Sequence, residues 1–334
     1  MAHPFDYTPV HVHYVRHFTN GQWQKGTLTS SHDLTINPMS TSLQYGQQAF
    51  EGLKAYKGKD EHIRLFRVDQ NAKRFNRSVS HLLMPTLPEN EFIEAVEETI
   101  RANADYVPDY DSGGSLYIRP YMIGVGGQLP PAPSKDYLFG IVVMPVGQLF
   151  KRPLQPITLE ITDYDRAAPN GSGSYKVGGN YAASMLAQMR AREKGYNDCL
   201  FLDPATHTSV EEVGVANFFG ITEDNVYVTP ESPSILRGIT NLSLQHIASE
   251  ELGLTVQRRT VKTQELKTFK EASACGTAAV ITPIASIDGR SVSVHYHNPA
   301  QSGSITHRLY HRLKAIQYGD ETGPPGWVRI INKG

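Results

Sequence analysis

The chain has 334 residues, of which 40% are hydrophobic and 19% charged, a composition typical of globular proteins with room for two domains. A net charge of −1 gives no electrostatic footprint for nucleic acid or for an anionic membrane. Two cysteines, Cys199 and Cys275, exclude a disulfide framework, and none of the thirteen histidines stands in a metal-binding pattern. Residues 1–6 lack a signal-peptide pattern, and no apolar run approaches a membrane span, so we expect a cytoplasmic protein without a metal.

The first half of the chain alternates short strand patterns with two amphipathic helices. Asn20-Gly21 predicts a turn before a strand at Trp23. Helices are predicted over about 71–79, with Asp69 as the cap, and over about 89–100, beginning at Pro88 and Glu89. Further strands are predicted at 54–56, 63–66, 115–119 and 137–146, the last of them buried because it is almost entirely apolar.

The second half is richer in strands. Residues 147–156, with glycine, two prolines and two cations, suit an exposed linker, so the predicted domains are 1–146 and 157–334. Helices are predicted at 181–194, about 238–252 and about 303–318. In the first of these, Tyr181, Met185, Leu186 and Met189 have helical spacing and are expected to face a core. Strands are predicted at 157–162, 199–203, 209–213, 218–221 and 226–229. The fold class is therefore α+β with two domains.

One lysine lies in an unusual loop, Gly171–Tyr181, between glycines and next to two tyrosines. A lysine becomes a nucleophile only when burial or a nearby cation lets its ammonium lose a proton. A nucleotide-binding P-loop requires serine or threonine directly after the lysine, and Val177 occupies that position after Lys176, which excludes it. A solvated lysine in a mobile loop remains the alternative for this segment taken alone.

Seven ordered segments resemble those of one enzyme family. They are Tyr45–Tyr56, with its Phe-Glu-Gly-Leu-Lys-Ala run, Arg74–Ser78, Tyr117–Pro120, Lys176–Tyr181, Glu212–Phe219, Ile235–Thr240 and Gly276–Ala278, followed by a Gly-Trp-Val tail at 326–328. Together they resemble the branched-chain amino acid aminotransferases, pyridoxal-phosphate (PLP) enzymes of fold type IV. The matches extend from about residue 20 to 328.

The resemblance implies a fold and a cofactor. It implies a smaller α/β N-terminal domain, a larger strand-rich pseudo-barrel domain like that of D-amino-acid aminotransferase, and PLP at the domain interface. Lys176 would hold the cofactor as a Schiff base and shuttle a proton. Glu212 would meet the pyridine nitrogen, and Tyr181 the phenolic oxygen. Glu211, on the opposite face of the same predicted strand, is expected to be solvated.

The phosphate and the substrate would take further residues. A dianionic phosphate requires a cation and backbone amides, and the residues that resemble the family's phosphate site are Arg77, Gly238, Ile239, Thr240 and Thr277. Tyr45, Phe50 and Tyr117 resemble the aromatic wall around a branched side chain. Arg119 resembles the arginine that meets the distal carboxylate of glutamate or 2-oxoglutarate, and the amides of Thr277 and Ala278 would meet the α-carboxylate.

Two departures from the family narrow the resemblance. The redox Cys-x-x-Cys of mammalian members is absent after Thr277 and Ala278, which indicates a bacterial-type enzyme. Val215 and Ala216 replace small polar residues of many relatives, which leaves the fine substrate preference open.

The leading hypothesis is a homodimeric transaminase for leucine, isoleucine and valine with 2-oxoglutarate. The alternatives are a D-amino-acid aminotransferase, an aminodeoxychorismate lyase, an (R)-amine aminotransferase, or a binding protein that has lost catalysis.

Overall fold

The computed structural model describes residues 6–147, 154–289, 292–297 and 301–332. The chain forms two compact units. The first contains Met1–Gln148, Tyr175–Gly178 and Ala315–Gly334, and the second contains Leu149–Ser174 and Gly179–Lys314. Each unit has its own sheet, and together with the helices they give the α+β class expected from the sequence.

Antiparallel pairing builds the sheet of the first unit. Its strands run in the order β6-β5-β7-β8-β1-β2, with β3 paired to β1 and β4 paired to β7. Asn20 and Gly21 both have positive φ, as a two-residue hairpin turn requires, and Thr19 therefore pairs with Gln22. The strands are β1 (His13–Thr19), β2 (Gln22–Trp23), β3 (Thr27–Thr29), β4 (Gln48–Phe50), β5 (Leu53–Lys57), β6 (Ile63–Phe66), β7 (Ser115–Gly124) and β8 (Tyr137–Val146).

Three helices accompany this sheet: α1 (Thr41–Tyr45), α2 (Val68–His81) and α3 (Glu89–Ala102). Helix α3 begins after Pro88, as predicted. Asp69 does not cap α2, because the helix begins one residue earlier and Asp69 lies in its first turn. The core between the helices and β8 contains three fully buried phenylalanines, Phe75, Phe92 and Phe139, whose ring centroids lie 5.3–5.9 Å apart.

The sheet of the second unit closes into a barrel. Strands β11-β10-β9-β16-β15-β12 are paired in that order, and an additional β11–β12 pairing joins the two ends. This agrees with the expected strand-rich pseudo-barrel. Its strands are β9 (Ile157–Ile161), β10 (Asp198–Leu202), β11 (Val210–Val213), β12 (Ala216–Thr222), β13 (Tyr227–Pro230), β14 (Val256–Arg259), β15 (Phe269–Gly276), β16 (Val280–Asp288) and β17 (Ser293–His295).

The other α-helices of the described residues are α4 (Gly178–Glu193), α5 (Ile239–His246) and α6 (Ile305–Tyr318), and a π-helical turn, Ile247–Glu251, continues α5. The predicted core face of α4 is wrong: Met185, Leu186 and Met189 are exposed. The helix packs instead through small residues, since Ala187 and Ala191 are buried against Cys199 and Phe201. Helical spacing located the apolar stripe correctly, but it does not say which face meets the core.

The units differ from the predicted domains in two places. A C-terminal strand, β18 (Val328–Ile331), pairs with β6 and so belongs to the first unit, not to the domain 157–334. Residues 175–178 also group with the first unit. Pairing between strands so distant in sequence leaves no local signal. Part of the predicted linker, residues 148–153, lies outside the described residues. Among those that are described, no helix has the length and apolar character to cross a membrane.

The phenylalanine cluster gives a test of the packing of the first unit. Phe75→Ala removes a fully buried ring between Phe92 and Phe139 and should lower the free energy of unfolding by about 3–5 kcal/mol. Leu43→Ala, at an exposed position on α1, is the control and should change it by less than about 0.5 kcal/mol. Urea unfolding measures both, and equal losses would contradict the packing described.

Candidate active site

The lysine loop is held by its backbone in the first unit. Val177 forms an isolated bridge with Ala49, and the Phe50 N–H donates to the Lys176 carbonyl at 3.1 Å. The Lys176 N–H donates to the Ser78 hydroxyl at 3.0 Å, and that hydroxyl donates to the carbonyl of Arg74 on α2 at 3.0 Å. Hydrogen bonds on both sides of Lys176 therefore fix its main chain, contrary to the alternative of a mobile surface loop.

The Lys176 amine lies in an environment that favours its neutral form. Its Nζ is 4.6 Å from the centroid of the Phe50 ring. Burial lowers the pKa of Lys176 from 10.5 to about 8; the Arg74 charge acts in the same direction, and Glu51 opposes it. A substantial fraction of this amine is consequently unprotonated slightly above neutral pH.

A buried ion pair accompanies this lysine. Glu51 is fully buried and accepts hydrogen bonds from Arg74 Nε at 2.7 Å, Arg74 Nη2 at 2.8 Å and Asn71 Nδ2 at 2.7 Å. Burial alone would raise the pKa of Glu51, but the charge and hydrogen bonds of Arg74 outweigh burial and lower it. Both residues lie in segments that carry the family resemblance, yet sequence reasoning assigned neither of them a role.

Arg119 lies between two aromatic side chains predicted as substrate residues. Its guanidinium carbon is 4.7 Å from the Phe50 ring centroid and 5.2 Å from that of Tyr117, and its Nη2 donates to the Tyr117 hydroxyl at 3.1 Å. Within the described part of the chain, its buried Nε has no hydrogen-bond partner. The structure thus brings together Lys176, Phe50, Tyr117 and Arg119, and among the described residues only the Tyr117 hydroxyl accepts from this guanidinium.

Two other predicted residues of the first unit have different surroundings. The Arg77 guanidinium lies 5.4 Å from the centroid of the Tyr175 ring, which stacks on His81 at 3.7 Å. Arg77 is therefore next to the lysine loop. Tyr45, at the end of α1, is exposed, and its hydroxyl donates to the carbonyl of Leu129. Its place in an aromatic wall stays a prediction.

In the second unit, Glu212 is buried on β11. Its carboxylate accepts hydrogen bonds from the Leu236 N–H at 2.9 Å and from Asn217 Nδ2 at 3.3 Å. Arg166 Nε lies 3.1 Å from its other oxygen, as an ion pair between two nearly inaccessible side chains. Sequence reasoning missed Arg166, because neither periodicity nor its neighbours distinguish this arginine from a solvated one.

The expectation that Glu211 is solvated is wrong. Glu211 is buried and accepts a hydrogen bond from the Ser232 hydroxyl at 2.6 Å, and burial raises its pKa. Strand alternation still separates it from Glu212. All four residues of β11 are buried, however, because the strand closes the barrel and is covered on both faces.

The start of α5 has the features of an anion site. Gly238 precedes the first helical residue, Ile239, and the next residue, Thr240, is buried. A Cβ on Gly238 would lie 2.0 Å from Asn217 Oδ1, so a larger residue there would displace the amide that donates to Glu212. The first N–H groups of a helix have no intrahelical partner and point at an anion placed before them.

The last three predicted residues lie at element ends. Tyr181 is in the first turn of α4, and Thr277 and Ala278 are in the turn between β15 and β16. Their roles stay predictions. Among the described residues, no three acidic, histidine or cysteine side chains are placed to hold a metal ion.

Comparison with known proteins identifies the family. The sequence profile of amino-transferase class IV matches residues 48–287. The chain belongs to the class IV aminotransferases. It is 46% identical over 329 residues to a branched-chain-amino-acid aminotransferase of Haemophilus influenzae, covering 97% of this chain and 96% of the relative. It is also 46% identical over 326 residues to the enzyme of that name from Helicobacter pylori, covering 97% and 95%.

Solved structures agree with this assignment. A branched-chain aminotransferase from Thermoproteus uzoniensis with norvaline superimposes with a TM-score of 0.79 at 26% identity, covering 96% of this chain and 100% of that one. The PLP form of the enzyme from Thermobaculum terrenum gives 0.80 at 25% identity, covering 97% and 99%.

The electrostatics of Lys176 can be tested by removing Arg74. Arg74→Gln deletes a positive charge that lowers the Lys176 pKa and frees Glu51 to stabilise the ammonium, so both effects should raise that pKa above about 8. Each unit of rise lowers the fraction of free amine at pH 7 about tenfold. The pH dependence of Lys176 acetylation, followed by mass spectrometry on the cofactor-free protein, measures the shift. Arg101→Gln, in a partly exposed ion pair on α3, should leave it unchanged, and an unchanged or lower pKa in Arg74→Gln would contradict this account.

Proposed function

We propose that this chain is a branched-chain-amino-acid aminotransferase. It transfers the amino group between leucine, isoleucine or valine and 2-oxoglutarate by a ping-pong mechanism. The observation that carries the proposal is the grouping of the Lys176 amine with Phe50, Tyr117 and the partly unpartnered Arg119. The names of relatives 46% identical over nearly the whole chain support the same activity.

The residues present fit PLP, the cofactor of class IV aminotransferases. The set offers an amine of lowered pKa, a buried carboxylate and a helix start at Gly238 whose first N–H groups are available to an anion. Lys176 would hold the cofactor covalently, Glu212 would meet its ring nitrogen, and Tyr181 its phenolic oxygen. The proposed phosphate contacts are Arg77, Gly238, Ile239, Thr240 and Thr277. When bound, PLP withdraws electrons from the amino acid and makes its Cα proton acidic.

Lys176 is also the proposed proton carrier. Its pKa of about 8 lies close enough to neutrality for the amine to take a proton from Cα and return it to the cofactor side. Its fixed main chain limits the movement of the amine to the side chain alone. A solvated lysine with the ordinary pKa would be almost entirely protonated and could not act as a base.

The proposed substrate contacts would let one site accept both an apolar and an acidic side chain. Phe50 and Tyr117 offer aromatic surface for a branched aliphatic chain, with Tyr45 as a further proposed contact. Arg119 offers a charged N–H to a distal carboxylate. The amides of Thr277 and Ala278 would bind the α-carboxylate that all substrates share.

A substrate screen tests the proposed function. The purified protein loaded with PLP should convert 2-oxoglutarate to glutamate with L-leucine, L-isoleucine or L-valine as amino donor. D-amino acids and (R)-amines should give at most a small fraction of that rate. Preference for a D-amino acid or an (R)-amine would favour a sister activity of the same fold, and failure to take up PLP would favour a protein without catalysis.

The second test concerns dual specificity. Arg119→Leu should slow the half-reaction with glutamate or 2-oxoglutarate much more than that with leucine, because only the former presents a distal carboxylate. A hydrogen bond between charged groups contributes about 1.5–3 kcal/mol, so the differential should be roughly 10- to 150-fold. Single-turnover kinetics at the cofactor absorbance measures each half-reaction. Arg101→Leu should affect neither, and parallel losses in Arg119→Leu would leave Arg119 as a structural residue only.

The third prediction is oligomeric. We propose a homodimer, supported by the exposed apolar residues Met185, Leu186 and Met189, which a monomer would leave in contact with water. Light scattering on the active holoenzyme should give at least twice the 37.1 kDa chain mass. A fully active species of about one chain mass would contradict it. A cytoplasmic location stays a proposal from the sequence.

A further inference from the structure

One buried arginine joins three segments of the second unit. Arg166 Nε lies 3.1 Å from Glu212 Oε2, and its Nη2 donates to the carbonyl of Gly173 at 3.2 Å and to that of Ser234. Within the described residues, Nε has no partner with hydrogen-bond geometry, so its contact with Glu212 is an ion pair. A guanidinium this inaccessible is stable only when its charge is matched.

Glu212 needs such a counter-charge. Its carboxylate is buried, and Glu211 is its neighbour on β11. Cys275 on β15 is also close, because burial raises the pKa of the Cys275 thiol and the charge of Glu212 raises it further. Asn217 on β12 and the Leu236 N–H donate hydrogen bonds to it but carry no charge. Burial and a neighbouring carboxylate both favour the protonated form of a carboxyl group. Among these groups, Arg166 alone supplies a positive charge.

The same guanidinium fixes the approach of two loops. Gly173 is three residues before Lys176, and Ser234 is four residues before Gly238, the start of the proposed phosphate site. The two loops touch: a Cβ on Gly173 would lie 2.4 Å from the Ser234 carbonyl oxygen. Both carbonyls accept hydrogen bonds from Arg166 Nη2, and the same guanidinium pairs with Glu212. Arg166 therefore connects the two loops to the Glu212 carboxylate.

We propose that Arg166 is a positioning residue that keeps the Glu212 carboxylate ionised and correctly oriented. An ionised Glu212 would hold a proton on the ring nitrogen of the cofactor. The inference rests on the proposed function, in which Glu212 meets that nitrogen. A neutral Glu212 could not hold a positive charge on the ring, and the ring would withdraw electrons less strongly. Arg166 therefore contributes to the chemical step without touching the substrate.

The test compares Arg166→Met with Arg166→Lys in the holoenzyme. The ¹³C resonance of the Glu212 carboxyl, assigned by its loss in Glu212→Gln, should titrate at higher pH in Arg166→Met than in the wild type. The rate of the leucine half-reaction at pH 7 should fall at least about tenfold, toward the rate of Glu212→Gln. The acid limb of its pH–rate profile should move to higher pH. Arg166→Lys restores the positive charge but not the several N–H groups of the guanidinium. It should therefore recover part of the Glu212 titration shift and part of the rate. Arg258→Met, which removes a partly exposed partner of Glu231, is the matched control and should change neither.

Three outcomes separate the possibilities. If Glu212 titrates as in the wild type while only stability falls, the inference is wrong and Arg166 is purely structural. If Arg166→Met does not fold, Arg166→Gln, which is polar but carries no charge, decides: an acid limb moved to higher pH supports the proposal, and an unchanged limb contradicts it. Wild-type holoenzyme inactive on L-leucine would refute the proposed function, a result distinct from active wild type with an unaltered Glu212 in the variants.

Discussion

The desolvation of one lysine amine is the constraint on which the rest of the proposed chemistry depends. Burial removes water from the Lys176 ammonium, and the nearby Glu51 would by itself restore the charged form. Arg74 prevents this by pairing with Glu51 through two hydrogen bonds. The opposite charges of Glu51 and Arg74 largely offset each other at the Lys176 amine, so desolvation has the largest effect on the pKa of that amine. Ser78 links the same helix to the lysine main chain, which is therefore fixed relative to the charges that control the amine.

The second unit solves the opposite electrostatic problem. There a carboxylate, Glu212, has to stay charged inside a closed barrel, with Glu211 beside it. Closure of the barrel through the β11–β12 pairing buries both side chains, and a backbone N–H, an amide and a guanidinium compensate Glu212. A buried lysine whose pKa is lowered toward neutrality and a buried glutamate with a counter-charge are the two electrostatic conditions that the proposed transamination requires.

Local signals in the sequence located many elements and the lysine loop. The apolar run 137–146 was sufficient to locate β8, and the proline before Glu89 was sufficient to locate the start of α3. Both features depend on residues that are neighbours in the sequence. Long-range features were not accessible: β18 adds to a sheet begun more than 250 residues earlier, and Arg166 pairs across 46 residues with Glu212. Met185 and Glu211 were misjudged because periodicity separates the faces of an element without showing which of them are covered.

The identity of the cofactor-bearing lysine tests the central claim most directly. The holoenzyme can be reduced with borohydride, digested, and its peptides sequenced by mass spectrometry. Our account predicts a pyridoxyl group on Lys176 and on no other lysine, since this amine combines a lowered pKa with a fixed main chain beside Phe50 and Arg119. A pyridoxyl group on Lys54, the buried lysine of β5, or on any other lysine would contradict it.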